Sequence, residues 1–148
     1  MNQYTKLLQS LKNDTYHWLI TGVSGFIGSN LLERLLLSNQ IVTGLDNFST
    51  GRKSNLEQVK NNVTKSVWKN FKFIEHDVTK PYDWEGELDY IIHAAGIASP
   101  FYYRAYPLET LQVAIAGTQN MLELAKTHDA RFTFFSSSET TVLVFVFL

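Results

Sequence analysis

Three features of this 148-residue sequence predict an α/β fold built on a parallel sheet with helices on both faces. Short apolar runs alternate with segments of helical periodicity, a glycine cluster stands where the first run gives way to the first helix, and an aspartate closes the second run. When a helix follows each strand, the chain must cross over the sheet before pairing again. Neighbouring strands then run parallel and both faces are covered.

Tyr4, Leu7, Leu8 and Leu11 recur at helical spacing ahead of a polar break at Asn13-Asp14. Residues 1–14 are therefore expected to form a short amphipathic helical extension outside the main domain. His17-Trp18-Leu19-Ile20-Thr21 has strand length, and residues 26 to 38, with leucines at 31, 32, 35, 36 and 37, have helical periodicity. Ile41 to Leu45 predicts a second strand ending at Asp46, and polar residues 47 to 54 predict a loop. A weaker helical pattern covers 59 to 69. Phe71-Lys72-Phe73-Ile74 alternates as a third strand, 90 to 93 as a fourth and 131 to 135 as a fifth, with one long helix expected over 108 to 128. The main domain is expected over residues 15–139, its sheet cut short after about the fifth strand, followed by an atypical apolar tail at 140–148.

Composition narrows the partners. Apolar residues make up 45% and charged residues 18%, a globular balance, and the formal net charge is only -1, so no basic footprint calls for nucleic acid or an anionic membrane. With no cysteine, disulfides, thiolate metal sites and cysteine nucleophiles are excluded, and no metal site is expected. No apolar run approaches membrane-spanning length, and the N-terminus lacks the apolar core of a signal peptide. The expectation is a cytoplasmic protein that binds a small molecule.

The first strand runs directly into Thr21-Gly22-Val23-Ser24-Gly25-Phe26-Ile27-Gly28, and Asp46 follows 18 residues beyond Gly28. Glycine is needed where a backbone turns sharply or approaches a pyrophosphate without a Cβ in the way, and a helix starting at Phe26 offers free N–H groups and a positive dipole end. An acid about 20 residues on can accept hydrogen bonds from ribose hydroxyls. Asp46 also repels a 2′-phosphate, which favours NAD over NADP; Arg52 would act the other way, but an exposed loop arginine is ordinarily solvated. These features together specify a Rossmann-type dinucleotide site, against the plain alternative of a helix-entry turn. A methyltransferase using S-adenosylmethionine shares a glycine-rich first turn and a strand-two acid, but not this three-glycine spacing. Asp77, Val78, Ala94, Ala95 and Gly96 fall just past the third and fourth strands, where ligands bind in open parallel sheets. Taken alone, Ala-Ala-Gly reads equally as a tight turn and Asp77 as a helix cap.

The residue 21–28 segment resembles the TGxxGxxG signature of the extended short-chain dehydrogenase/reductase family, whose members act on nucleotide-linked sugars. Asp46-Asn47-Phe48-Ser49-Thr50-Gly51-Arg52-Lys53-Ser54-Asn55 is similar to the corresponding segment of its UDP-glucuronate decarboxylases. His76-Asp77-Val78 resembles their adenine-contacting acid, His93 to Pro100 their strand-four turn, and Gly117-Thr118-x-Asn120-Met121-Leu122 their following helix. The opening, Trp18 to Leu32 together with Leu45 to Leu56, is equally similar to UDP-N-acetylglucosamine 4-epimerases. The resemblance implies NAD as cofactor, held by Gly22, Ser24, Gly25, Phe26, Ile27, Gly28, Asp46, Asn47, Phe48, Ser49, Thr50, Gly51, Asp77, Val78, Ala94, Ala95, Gly96 and Thr110. It implies a UDP-sugar substrate and a homodimer in the full-length family. Phe135-Ser136-Ser137-Ser138-Glu139 is similar to the Ser-rich catalytic stretch of the decarboxylases, which implies that Ser137 contacts the sugar 4-oxygen and that Ser138 and Glu139 lie beside the reacting carbons. A Ser-rich strand exit is otherwise an ordinary loop.

In the resembling enzymes NAD+ removes hydride from sugar C4 while a tyrosine, its pKa lowered by a neighbouring lysine, takes the hydroxyl proton. The 4-ketone then allows a C6 carboxylate to leave as carbon dioxide, or the sugar to take hydride back on its other face. Three departures stand out. Glu109 occupies a position where the family has lysine, Ala114 one where it has asparagine, and no Tyr-x-x-x-Lys occurs in this sequence. The 148 residues alone are therefore expected to bind a dinucleotide without catalysing the reaction. After Glu139 the family continues Ile-Tyr-Gly; loss of one base from such codons yields Thr-Thr, followed by valine when the remaining bases permit, as in Thr140-Thr141-Val142. The tail is thus expected to reflect a shifted reading frame, and its uncharged run to Leu148 to promote association or aggregation.

Overall fold

The computed structural model describes residue 9 and residues 11–135. Five strands are present: β1 (His17–Thr21), β2 (Ile41–Asp46), β3 (Phe71–Glu75), β4 (Tyr90–His93) and β5 (Arg131–Phe134). They form one sheet in the order β3-β2-β1-β4-β5, and every pairing is parallel. The chain thus fills one side of β1 and then returns to fill the other, giving the doubly wound arrangement that the alternation predicted.

Alternate residues of each strand point to opposite faces, and each face has its own apolar layer. On one side Ile20, Val42 and Ile92 meet Leu32, Leu35 and Leu36 of helix α1 (Phe26–Leu37) and Val59 of helix α2 (Lys53–Asn62). On the other, Leu19, Leu45 and Ile91 pack against Met121, Leu124 and Ala125. Leu36 is fully buried, so Leu36→Ala is expected to lower the unfolding free energy by about 3 kcal/mol through lost burial and a residual cavity, readable in urea denaturation. A loss below about 1 kcal/mol would mean that this layer is not the core.

The helices differ from the sequence expectation in three places. The second helix starts at Lys53, inside the expected loop, and ends at Asn62; Val63 is extended, and a separate turn of helix, α3 (Lys65–Trp68), is capped by the Thr64 hydroxyl, which accepts from the Val67 N–H. The expected long helix is divided into α5 (Pro107–Gln112), a wide π turn (Val113–Gly117) and α6 (Thr118–Thr127). An unforeseen helix, α4 (Pro100–Ala105), precedes it, and a proline at the start of both α4 and α5 sets those boundaries. Near the N-terminus, residues 11–13 are helical. Their end is tied to the domain by buried Gln40, whose Nε2 donates to the carbonyls of Leu11 and Asp14 and whose Oε1 accepts from Tyr16 N–H and Trp18 Nε1–H.

Candidate functional site

β1 ends in a turn that only a small set of backbone conformations can make. Gly22 has φ +70°, and its N–H donates to Leu45 O at 2.8 Å. A Cβ at this position would lie 2.8 Å from both Ala94 O and the Ala95 backbone, so the first turn rests directly on the turn after β4. Gly25 N–H returns to Gly22 O at 3.0 Å, and α1 starts at Phe26 with no side chain capping its first turn. Its leading N–H groups have no intrahelical partner and form the positive end of the helix dipole.

Asp46 closes β2 directly alongside this turn. The residue is 8% exposed; its Oδ2 accepts from Ser24 N–H at 2.9 Å and its Oδ1 from Phe48 N–H at 2.8 Å. A carboxylate has about four acceptor positions, so two bonds to backbone leave acceptor capacity for a ligand's hydroxyl groups. Phe48 adopts φ +57°, a conformation stabilised locally by its N–H bond to Asp46 and by ring contact with Phe73.

An open cleft runs along the carboxyl ends of the strands at the point where the strand order reverses. Gly22, Leu45, Asp46, Asn47, Ser49 and Thr50 line one part, His76, Asp77 and Val78 the next, and Ala95, Gly96, Ile97 and Val113 the last. Asp77 faces the cleft, and its Oδ1 accepts the Thr79 N–H at 2.9 Å within a turn; no helix starts there, so it is not the helix cap that the plain alternative expected. The turn after β4 is held by Thr21, whose hydroxyl accepts from Ala95 N–H at 3.1 Å and lies 2.7 Å from His93 Nδ1. His93 is nearly inaccessible, and burial pushes its pKa down from 6.5 to about 4.

The other residues expected at the cofactor surround the cleft without lining it. Ser24, Gly25, Phe26, Ile27 and Gly28 form the turn and the first turn of α1, Phe48 and Gly51 the loop behind Asp46, and Ala94 packs partly into the core. Thr110 stands apart, its hydroxyl donating to Tyr106 O at 2.7 Å within its own helix. Ser137, Ser138, Glu139 and the 140–148 tail lie outside the described residues. Leu45, His76, Ile97 and Val113 are cleft residues that the sequence reading missed. The first three adjoin recognised positions at strand ends, and Val113 is the first residue of the π turn. Among the described residues no group of three or more His, Asp or Glu side chains could hold a metal ion, and no helix is long and apolar enough to cross a membrane.

A sequence model of the NAD dependent epimerase/dehydratase family matches residues 18–141. UDP-glucuronic acid decarboxylase 4 of Arabidopsis thaliana is 41% identical over 134 residues, which cover 90% of this chain and 28% of that protein. UDP-glucuronic acid decarboxylase 1 of Danio rerio is 42% identical over 131 residues, covering 86% of this chain and 29% of that protein. Among solved structures, the UDP-glucose 4-epimerase of Bifidobacterium longum, in complex with NAD+ and UDP, is similar with a TM-score of 0.69 at 27% identity, over 82% of this chain and 37% of that one. The chain therefore spans less than a third of the length of these two decarboxylase relatives.

Proposed function

Because the chain belongs to the NAD dependent epimerase/dehydratase family, we propose that its residues 15–139 are the dinucleotide-binding part of an enzyme that remodels a UDP-sugar, of the UDP-glucuronate decarboxylase kind. The observation that carries this reading is the joint placement of the glycine turn, the open first turn of α1 and Asp46 around one cleft at the reversal of strand order. The N–H groups of Phe26, Ile27 and Gly28 suit a pyrophosphate. Asp46 would accept from the adenosine ribose hydroxyls, Asp77 and Val78 would border the adenine, and the small residues Ala95 and Gly96 leave room for the second ribose and its ring. Bound NAD+ supplies hydride acceptance from a sugar carbinol, which creates the ketone that decarboxylation or epimerisation requires. The 41% and 42% identities to UDP-glucuronic acid decarboxylases support the decarboxylase reading. In this reading Ser137, Ser138 and Glu139 would approach the sugar.

Two finer points belong to the same proposal. The outward apolar side chains Leu108, Leu111, Ile115 and Leu122 along α5, the π turn and α6 suit self-association, which a concentration series in light scattering tests. A cytoplasmic location is tested by fractionation.

Titration with NAD and NADP tests the central claim. NAD is expected to bind, and Asp46→Ala to weaken it about 30-fold, corresponding to about 2 kcal/mol of charge-assisted hydrogen bonding, while weakening NADP much less. No binding at millimolar NAD would refute the cofactor reading, and equal losses for the two cofactors would refute the ribose role of Asp46.

A further inference from the structure

Asn55 lies outside the cleft wall, in the first turn of α2, yet its side chain reaches back to the glycine turn. Its Nδ2 donates to Ser24 O at 2.8 Å, and the Arg52 N–H donates to the same oxygen at 3.1 Å. A carbonyl oxygen has two lone pairs, and these two donors occupy both. The other edge of the same peptide unit is also fixed, since Gly25 N–H donates to Gly22 O at 3.0 Å. The preceding N–H, that of Ser24, is bound by Asp46. The fit is close: a Cβ on Gly51 would overlap Ser24 Oγ and lie 3.0 Å from Asp46 Oδ1.

Occupation of this one oxygen matters because Ser24 stands four residues ahead of Gly28. In a regular helix the carbonyl of one residue takes the N–H of the residue four further on. A free Ser24 carbonyl would therefore compete for the Gly28 N–H, extending α1 backwards by one residue and removing one of the free donors of its first turn. It would also bring a carbonyl dipole towards the place where a pyrophosphate carries its negative charge.

The geometry points to Asn55 as a positioning residue for the pyrophosphate: by holding the Ser24 carbonyl towards α2, it keeps the first-turn N–H groups of α1 free for the ligand's phosphates. This deepens the dinucleotide reading and rests on it. The effect is specific to phosphate, because Asp46 keeps its bond to Phe48 N–H, and the adenosine part of the cleft, at Asp77 and Val78, lies on other elements.

The test compares Asn55→Ala and Asn55→Asp with the unmodified chain by calorimetric titration of NAD, ADP and adenosine, with thermal melts to confirm folding. Alanine is a strong helix former, so the first variant keeps α2 intact. Aspartate keeps the volume of asparagine but sets an acceptor against a carbonyl. NAD and ADP are expected to bind about tenfold more weakly to Asn55→Asp and about fivefold more weakly to Asn55→Ala, with adenosine within about twofold, in line with the loss of one hydrogen bond. A space-filling role predicts the opposite order, with aspartate tolerated better than alanine. That order, equal loss for adenosine, or ADP affinity unchanged in Asn55→Asp would overturn the positioning role. If the unmodified chain binds neither ADP nor NAD, the dinucleotide reading falls and this inference falls with it.

Discussion

Gly28→Ala is expected to abolish measurable NAD binding and to destabilise the fold by about 3 kcal/mol, the upper end of the cost of overpacking. On propensity alone the substitution should stabilise α1, since alanine is preferred to glycine in a helix interior by up to about 1 kcal/mol. The position reverses the sign. A Cβ there would overlap Gly22 O and lie 2.8 Å from Val23 Cα and 2.9 Å from Gly22 C, all of them backbone atoms. No side-chain rotation relieves such a contact; either α1 moves away from the turn, or the turn opens and carries Gly22 off the turn after β4. Both movements displace the free N–H groups of the first turn of α1. At Gly25 a Cβ would meet only Gly22 O, at 3.2 Å, so Gly25→Ala should cost far less. Chemical denaturation and NAD titration of the two variants read the difference. Equal stability of Gly28→Ala and the unmodified chain would show that helix and turn are not packed this closely.

The strands were legible because each is a short apolar run whose end is marked by a residue with a reason to be there: Gly22 after β1, Asp46 at the end of β2, Asp77 shortly after β3, and Ala94 to Gly96 after β4. The cleft was legible for the same reason, since in a parallel sheet those ends converge. What escaped depended on contacts distant in sequence. The start of α2 at Lys53 is tied to the glycine turn through Arg52 N–H and Asn55 Nδ2 on Ser24 O, a partner about thirty residues away that no local pattern indicates. The division of the long helix escaped because Val113–Gly117 has ordinary helical composition. Its width is tied to packing, with Gly117 so close to Val78 that a Cβ would lie 2.9 Å from the valine Cγ2. Thr110 was expected at the cofactor by family resemblance alone; its hydroxyl donates to the carbonyl of Tyr106, the residue that precedes α5. The function of Asn55 was invisible although the residue had been read within a recognised segment, because sequence similarity identifies a position without saying what its side chain holds.

Stability is expected to fall by up to about 3 kcal/mol between about pH 6.5 and pH 4 through His93 alone. The ring is 1% exposed and lies against Phe132 and Phe134, with centroids at 6.0 and 5.9 Å. Its Nδ1 faces the Thr21 hydroxyl, and its Nε2 has no hydrogen-bond partner among the described residues. A charged ring in these surroundings would lose its hydration without gaining a counter-charge, so burial lowers the pKa from 6.5 to about 4. In the unfolded chain the same group takes its proton near the ordinary value. Between the two values the unfolded state binds more protons, so the contribution is complete above about pH 6.5 and is lost as pH falls towards 4. The Thr21 hydroxyl accepts from Ala95 N–H, and its own proton is therefore available to Nδ1. Were both ring nitrogens protonated, Nδ1–H would donate to the Thr21 oxygen, adding a second donor to the Ala95 N–H that it already accepts. Any change in NAD affinity is therefore expected only as pH approaches 4, where the ring of the folded chain takes its proton. Other groups also titrate in this range, so the measurement is the difference between the unmodified chain and His93→Phe, which keeps an apolar ring but cannot be charged. That stability difference should shift by about 3 kcal/mol in favour of the variant as pH falls from 7 to 4. A difference that stays constant across the range would show that His93 titrates alike in the folded and unfolded chains.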